Sequence, residues 1–534
     1  MRFKMYFMLG CLMMTASACG GAGGSSSTSS LGTLTQGTGT GENQLSSGEV
    51  NAASMRVGDS FTVEDAESNN ITLTFSDETQ TDDLYLLVLS TPEQTAQSFA
   101  YILGSESAAS SNALSLKSAG QDEALPAQDM HDFMREIESD LPAQLPQAIQ
   151  SRAQAMTRQV ATRVGDTRTF KVLNTLGSLD SCDTVTAEAV LSNDTFVLYV
   201  DEDTELSDDE IEIYASLEEG LRKEIDIAGA PSDIDADGKV NVLITPVVNS
   251  LASSGGGFVT GFFDATNLYS TRSYPCSNET EIVFLNAPDP DGDMGNVRIS
   301  HSFYQNNLQT TVLYHEFQHL INFNQHVLSR GSRAERAALN EALSHFFEGN
   351  PGDWSDFGNE NPSRVAPFLS APYAKDLLSG TSLAQRGGSY LFLHYLCAQA
   401  DLGTLSAVSS CDELIGSLIQ SAQSGVDNIE SVTGEDFSDL FSNFALAVAI
   451  NNLGLTDDVR FDFDGLNLYQ SWQDNRGTRW DGVSTRSLDS TDGTMSANAI
   501  DIIEITGRDI ANNDGIVSLN GGAGSLRAHL IRVN

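Results

Sequence analysis

The sequence predicts an α+β protein in which a central domain, residues 165–455, lies between an N-terminal and a C-terminal β module. In the central domain, strand-like apolar runs come first, and mostly helical spacing follows residue 310. Runs of alternating apolar and polar residues, separated by turn-forming residues, mark strands at both ends of the chain. With 534 residues, the chain is long enough for two or three folded units.

The first 18 residues have the features of an export signal. Arg2 and Lys4 give a basic start, an apolar run of roughly ten residues follows, and small residues precede Cys19. The stretch is similar to a bacterial lipoprotein signal, although Ala16 stands where leucine is usual. We expect a signal peptide over residues 1–18 and a lipid on Cys19. Cleavage by an ordinary signal peptidase, followed by secretion, is the alternative.

The cysteine count favours lipidation. Of the six cysteines, Cys11 leaves with the signal, so an odd number remains unless Cys19 is modified. Modification leaves four, which can pair in an oxidising compartment. Four cysteines allow three connectivities. The plausible pairs are Cys182 with Cys276 and Cys397 with Cys411.

The N-terminal region has a tether followed by a β module. Residues 19–50 are rich in Gly, Ser and Thr, which predicts a flexible tether. Residues 51–164 contain strand-like runs and then, from residue 121, a polar, alanine-rich stretch with helical spacing. We therefore expect a β module plus a helical connector. The strand-like runs are FTV (61–63), ITLTF (71–75) and LYLLVL (85–90).

The central domain and the C-terminal region follow the same logic. Ser207 and Glu210 form a capping box that predicts the start of a helix. Residues 456–534 return to strand spacing after Gly-rich turns, which predicts the C-terminal β module. The central strands are predicted at 196–200, 240–244 and 282–285, and the C-terminal ones at 500–505, 516–519 and 529–533.

The charge excludes several classes of partner. The chain has 28 basic and 73 acidic residues, a net charge of −45. Nucleic acid and anionic membrane surfaces would repel such a protein. Beyond the signal, no stretch approaches the roughly 18 apolar residues of a membrane span. The sequence therefore predicts no nucleic-acid partner and membrane contact only through the N-terminal lipid.

A metal-binding motif occurs at 315-HEFQH-319. On a helix, His315 and His319 lie on one face, so both imidazoles can reach one zinc ion. Glu316 then borders the open coordination position, where it can accept a proton from water. The surrounding helix is largely apolar, and burying these groups without a partner would cost several kcal/mol. The motif therefore predicts a zinc site rather than a polar surface helix.

The third ligand is expected on a second helix. A metzincin would place a third histidine where this sequence has Gln325, and His326 lies about 10 Å further along the helix. Glu341, in 339-LNEALSHFFEG-349, lies on an apolar helix and can complete a His₂Glu site with one position open for water. Glu335 and Glu348 are weaker substitutes.

The combination of motifs resembles a known family. HEFQHLINF followed by LNEALSHFFEG, with 387-GGSYLFLHYL-396 and 436-DFSDLFSNFALA-447 downstream, is similar to the hyicolysin family of bacterial zinc metallopeptidases. That family belongs to the thermolysin-like gluzincins. The resemblance covers about residues 165–455, and its specificity lies mainly in the HExxH and NExxSH pair. It implies a gluzincin fold for the central domain.

The resemblance also implies roles for individual residues. His315, His319 and Glu341 would be the zinc ligands and Glu316 the catalytic base. His345 stands where thermolysin-like enzymes have an acidic residue, and it could orient a ligand by hydrogen bonding. The residue expected to donate to the oxyanion is Tyr390, with His394 and Tyr373 as alternatives. The strand at 282–285 is expected to be the sheet edge on which an extended substrate docks.

These observations predict an extracytoplasmic zinc endopeptidase, lipid-anchored or secreted, that acts on protein or peptide substrates. A non-catalytic surface or adhesion lipoprotein that retains a zinc fold is the alternative, and the presence of Glu316 favours the enzyme. A zinc hydrolase of another bond would use the same chemistry. The acidic runs 233-DIDADG-238 and 289-DPDGDMGN-296 are candidate calcium sites, because alternating Asp residues at a turn can converge on a hard cation. Neither run completes an EF-hand, and a turn that leads into a strand is the alternative.

Overall fold

The computed structural model describes most of the chain from residue 43 onward. The predicted signal peptide, the lipidation site Cys19 and most of the predicted tether lie outside the described residues. The described residues are 43–45, 49–52, 55–64, 70–75, 79–92, 99–104, 130–141, 162–251, 259–295, 297–349, 351–353, 361–380, 382–468, 472–473, 479–480, 482–488, 492–521 and 526–534.

The strands fall into three main sheets. Their bounds are β1 (Asn43–Leu45), β2 (Glu49–Asn51), β3 (Ser60–Glu64), β4 (Asn70–Thr74), β5 (Leu84–Ser90), β6 (Phe99–Gly104), β7 (Thr167–Leu173), β8 (Cys182–Ser192), β9 (Phe196–Asp201), β10 (Val240–Ile244), β11 (Gly261–Phe263), β12 (Ile282–Leu285), β13 (Trp472–Gln473), β14 (Arg479–Trp480), β15 (Arg486–Ser487), β16 (Asp492–Met495), β17 (Ile500–Thr506), β18 (Ile516–Gly521) and β19 (Arg527–Arg532).

The helices follow mainly after the central sheet. Their bounds are α1 (Met130–Asp140), α2 (Asp208–Ser216), α3 (Glu218–Ala228), α4 (Pro246–Ser250), α5 (His301–Phe303), α6 (Val312–Phe323), α7 (Ala337–Phe347), α8 (Asn361–Ser370), α9 (Leu383–Asp401), α10 (Cys411–Ile419), α11 (Val426–Thr433), α12 (Phe437–Ile450) and α13 (Gly507–Asn512). Short turns of other helix types are Ala265–Leu268, Tyr304–Leu308, Asn324–Leu328, Pro372–Ala374 and Val459–Phe461.

Strands from the two ends of the chain share two sheets. One has the order β1-β3-β19-β5-β17-β15, and the other β16-β6-β18-β4-β2. In the first sheet Leu530 of β19 pairs with Phe61 on one side and Leu87 on the other. The structure therefore differs from the two separate β modules that the sequence predicts. In addition, β1 and the start of β2 lie within the range predicted as tether.

Strand β5 connects these two sheets, together called the β unit, to the rest of the protein, because its side chains alternate between two cores. Leu87 and Leu89 belong to an apolar cluster between the two sheets, whereas Leu86 and Val88 belong to the core of the central region. Successive side chains of a strand point to opposite faces, so one strand contributes to both cores. Helix α12 packs against this strand from the side of the central core.

The central sheet has the order β11-β12-β10-β9-β8-β7. Strands β9, β10 and β12 run parallel, and β11 pairs antiparallel with β12. The expectation that residues 282–285 form the sheet edge is wrong, because β11 covers β12 on that side. The first crossover contains α2, which begins after Ser207 with the predicted capping box.

Helix α6, which carries the HExxH motif, packs against β11, β12, α3 and α7. All its residues except Val312 are buried, in keeping with a helix that is apolar on most of its surface. The helix approaches the edge strand closely at Gly261. A Cβ atom there would lie 2.7 Å from a methyl group of Val312, so the approach requires glycine.

Both plausible cysteine pairs form disulfides, Cys182 with Cys276 and Cys397 with Cys411. None of the helices in the described part of the chain combines the length and apolar character needed to cross a membrane.

The two acidic runs form turns stabilised by hydrogen bonds. Asp233, Asp235 and Asp237 each accept a backbone N–H from within the first turn. Asp289 accepts those of Gly292, Asp293 and Met294 in the second. These bonds explain the carboxylates without an ion. Calcium stays a prediction.

Candidate metal centre

Helices α6 and α7 bring the three predicted ligands together. The Nε2 atoms of His315 and His319 are 3.1 Å apart. The carboxylate of Glu341 lies 3.6 Å from Nε2 of His315 through one oxygen and 3.5 Å from Nε2 of His319 through the other. Two ligands bound at 2.0–2.1 Å to one tetrahedral ion lie about 3.3 Å apart, so these separations fit one shared zinc ion.

The surroundings of Glu341 give an independent test of the fit. Its side chain is fully buried, and neither carboxylate oxygen has a hydrogen bond of good geometry among the described residues. Two longer contacts reach one oxygen, from Nδ1 of His131 at 3.2 Å and from a guanidinium nitrogen of Arg386 at 3.5 Å, and leave the other oxygen to the imidazole of His319. An ionised carboxylate in that position would be costly without a compensating partner. A cation between Glu341 and the two imidazoles supplies such a partner. The donor set of two imidazoles and one carboxylate is one that zinc accepts.

Protonation of the two histidines differs. Burial, reinforced by the nearby charge of Arg135, lowers the pKa of His319 well below its usual value, so this ring is held neutral. Burial also opposes the charge on His315, but the carboxylates of Glu341 and Glu348 outweigh it and raise the pKa to about 9. Because a metal binds the neutral ring, it would replace the proton of His315.

A buried carboxylate orients His315 from behind. An oxygen of Glu348 accepts the Nδ1 proton of His315 at 2.9 Å and that of His345 at 2.7 Å. Burial raises the pKa of Glu348, but Arg364 and His345 outweigh this effect and hold it well below its usual range. A hydrogen bond at Nδ1 leaves Nε2 free to bind metal. His345 thus acts on a predicted ligand through Glu348 rather than by a bond to Glu341.

His319 is surrounded on its outer side. Its Nδ1 lies 3.1 Å from the side-chain oxygen of Asn340, and the hydroxyl of Ser344 lies 3.0 Å from Nδ1 and 3.1 Å from Nε2; both residues are on α7. The guanidinium of Arg135, on α1, contacts the same nitrogen. The ring is therefore fixed by contacts from two helices, with Nε2 directed towards His315 and Glu341.

Glu316 points to the edge of the central sheet. It is 2% exposed, and one carboxylate oxygen accepts the backbone N–H of Phe263 on β11 at 2.9 Å. A hydrogen bond therefore holds the carboxylate of the predicted base against the edge strand of the central sheet.

Helix α9 contributes an arginine that the sequence analysis does not identify. A guanidinium nitrogen of Arg386 lies 3.5 Å from a carboxylate oxygen of Glu341. Tyr390, one turn later, is buried, and its hydroxyl bonds Nε2 of His394 at 2.9 Å. Tyr373 is placed elsewhere, against the β unit, where the guanidinium of Arg486 lies over its ring. The expectation that Tyr390 donates to the oxyanion stays a prediction.

The other candidate ligands have separate roles. Nε2 of His326 donates to the backbone oxygen of Leu418 at 3.1 Å. Glu335 accepts hydrogen bonds from the backbone of Gly425 and the side chain of Asn428. Both therefore stabilise the packing of neighbouring segments. Glu348, the other weak substitute, contacts His315 at Nδ1 rather than at the face where the ligands converge.

Another histidine joins the cluster from α1. His131 can offer a ligand atom together with His315, His319 and Glu341, and all four atoms lie within 4.8 Å of one another. Sequence reasoning missed it because it lies 184 residues before His315 in the predicted connector. The one local signal is the helical spacing of Met130, Phe133 and Met134, which predicts a packed face without showing what it packs against.

Comparison with known proteins supports a metalloprotease. No family model matches the chain. The chain is 29% identical over 184 residues to a protein of Staphylococcus hyicus named neutral metalloprotease ShpI. The matched region covers 33% of this chain and 38% of that relative, so the two are similar over well under half of either length. The chain is therefore a distant relative of a metalloprotease. That relation implies a bound metal, and the described residues include clusters able to hold one.

Proposed function

We propose that this protein is a zinc-dependent endopeptidase of the gluzincin type, with His315, His319 and Glu341 as ligands and Glu316 as base. The observation that carries the proposal is the convergence of the three donors, on two helices, at separations that fit one ion. The distant likeness to a neutral metalloprotease supports the same reaction class. A central sheet with an antiparallel edge strand beside the HExxH helix is compatible with a gluzincin fold.

When bound, zinc would act as a Lewis acid and lower the pKa of water to near neutrality. Glu316 is placed to accept the proton of the attacking water and to pass it to the departing amine nitrogen. The N–H of Phe263 holds its carboxylate at the edge of the sheet. A peptide that pairs with β11 would present its scissile bond beside this carboxylate.

The developing oxyanion needs a donor, and α9 offers two. Arg386 lies next to Glu341, and its Nε is buried without a hydrogen-bond partner among the described residues. The hydroxyl of Tyr390 is already bonded to His394, one turn further from the ligand. We assign the main electrostatic stabilisation of the oxyanion to Arg386, and Tyr390, the donor that the sequence predicts, is the alternative.

Several features of the proposal come from the sequence alone. The export signal and Cys19 support an extracytoplasmic location, lipid-anchored or secreted, and the net charge of −45 argues against a nucleic-acid partner. Protein or peptide substrates follow from the proposed reaction. The competing proposal, a non-catalytic surface lipoprotein, shares the metal site but needs no base at Glu316.

The test compares wild type with Glu316→Gln on an unfolded protein substrate, with zinc measured in the same samples. We expect zinc content to be unchanged and cleavage to fall by about 10²–10⁴-fold, because a positioned acid–base group contributes that much. Glu202→Gln, at an exposed position, is the matched control. Equal cleavage rates for Glu316→Gln and Glu202→Gln would show that Glu316 is not the catalytic base. Zinc binding without any Glu316-dependent cleavage would favour the non-catalytic alternative.

A further inference from the structure

Helix α1 lies in the region where a substrate would have to bind. It packs against the edge strand β11, the turn Ala265–Leu268 and the ligand-bearing helix α7. Its side chains Phe133, Met134 and Ile137 are part of the central core. An extended peptide could not reach this side of β11 while α1 occupies it.

The first turn of α1 directs His131 at the metal centre. Its Nδ1 lies 3.2 Å from a carboxylate oxygen of Glu341, and the rings of His131 and His315 are 5.3 Å apart at 82°. The ligand atoms of His131, His315, His319 and Glu341 all lie within 4.8 Å of one another. His131 is the partly buried member of the set, with 22% of its side chain accessible, whereas Glu341 is fully buried.

We propose that His131 is a fourth protein ligand of the ion held by His315, His319 and Glu341, and that α1 thereby keeps the enzyme latent. The inference rests on the proposed function. A tetrahedral site with four protein ligands leaves no position for water, as in structural zinc sites. The described conformation is thus the inactive form, and the residual cleavage by wild type comes from the minor fraction of molecules in which α1 has left the site.

Charged contacts fix the position of α1 against β11 and α7. Arg135 pairs with Glu138 at 3.0 Å and contacts His319. Glu138 in turn accepts a hydrogen bond from the side-chain amide of Asn340, whose oxygen lies against His319. The pKa of Glu138 is raised to about 7, since burial outweighs the charge of Arg135. Buried polar groups of this kind are costly unless their partners are present, so they specify one docked position.

The alternative is that His131 only forms an ion pair with Glu341. The two readings differ in the coordination of the metal. A ligand histidine contributes a third imidazole to the ion, whereas an ion pair leaves two imidazoles and a water. X-ray absorption at the zinc edge counts imidazole ligands in the full-length, zinc-loaded protein and needs no variant.

We expect three imidazole ligands in wild type and two in His131→Ala. The variant should bind zinc at least tenfold more weakly, because losing even an outer partner of a ligand lowers metal affinity 10–100-fold. Cleavage of an unfolded protein should rise at least tenfold in His131→Ala. Glu136→Ala, at an exposed position of the same helix, should change neither quantity.

The outcomes separate the two proposals. Two imidazoles in wild type, or an unchanged count and rate in His131→Ala, would overturn the inference while leaving the peptidase intact. Three imidazoles in wild type with a rate that rises in His131→Ala and falls in His131→Ala/Glu316→Gln would support both. If the count changes as expected but no variant cleaves protein in a Glu316-dependent way, the fourth ligand stands and the peptidase and its latency fail.

Discussion

Replacing Glu348 should weaken metal binding although this residue is not a proposed ligand. Its carboxylate accepts protons from His315 at 2.9 Å and from His345 at 2.7 Å, and its charge is balanced by Arg364. It fixes the ring orientation of His315 and increases the basicity of the ring. Loss of such a partner costs 10–100-fold in metal affinity, which is about 1.4–2.7 kcal/mol.

Two substitutions separate orientation from charge. Glu348→Gln keeps an acceptor oxygen but loses the negative charge, so we expect about a tenfold loss of zinc affinity. Glu348→Leu loses both, so the loss should approach about a hundredfold. Competition with a chromophoric chelator at fixed pH measures both affinities, and Glu202→Gln is the control. Thermal denaturation establishes that each variant is folded at the assay temperature. Affinities of the folded variants within twofold of wild type would refute the orienting role.

Three further predictions concern stability and chemistry. Burial raises the pKa of Glu281 from 4.5 to about 7, so the folded state binds the proton more tightly and the free energy of unfolding falls as pH rises through this range. In urea denaturation, the free energy of unfolding of Glu281→Gln relative to wild type should therefore increase by about 3 kcal/mol between pH 4.5 and 8. Free energies of unfolding that change in parallel with pH for the two proteins would contradict this. Replacing Cys397 and Cys411 together by serine should lower the free energy of unfolding, measured by urea denaturation, by about 3 kcal/mol, because the disulfide closes a short loop. The zinc content should stay the same. Arg386→Gln should lower kcat more than Tyr390→Phe in steady-state assays, and the reverse order would return the oxyanion role to the tyrosine.

Local sequence spacing predicts much of the candidate site. The i, i+4 relation of His315 and His319 fixes their common face on any helix, and the apolar pattern around Glu341 predicts a buried helix that has to pack against a core. The outer partners could not be predicted in this way. Arg386 and His131 reach the site through tertiary packing, and no spacing in the sequence relates them to the HExxH helix.

The fold shows the same limit. The strand-like runs near residues 61, 87 and 530 are predicted, but their pairing is not, because strands hundreds of residues apart combine only through tertiary structure. The sequence does contain a sign that residues 282–285 are not the edge of the sheet. A continuous apolar run such as 282-IVFL-285 is typical of an interior strand covered on both faces, whereas β11 is short and begins with glycine.

The most direct test of the metal centre is an anomalous difference map at the zinc edge, from a crystal of the full-length protein purified without chelators. The account predicts one peak within about 2.0–2.2 Å of Nε2 of His315, Nε2 of His319 and a carboxylate oxygen of Glu341. A map without density there, or with zinc bound by other residues while these three side chains stay apart, would contradict it.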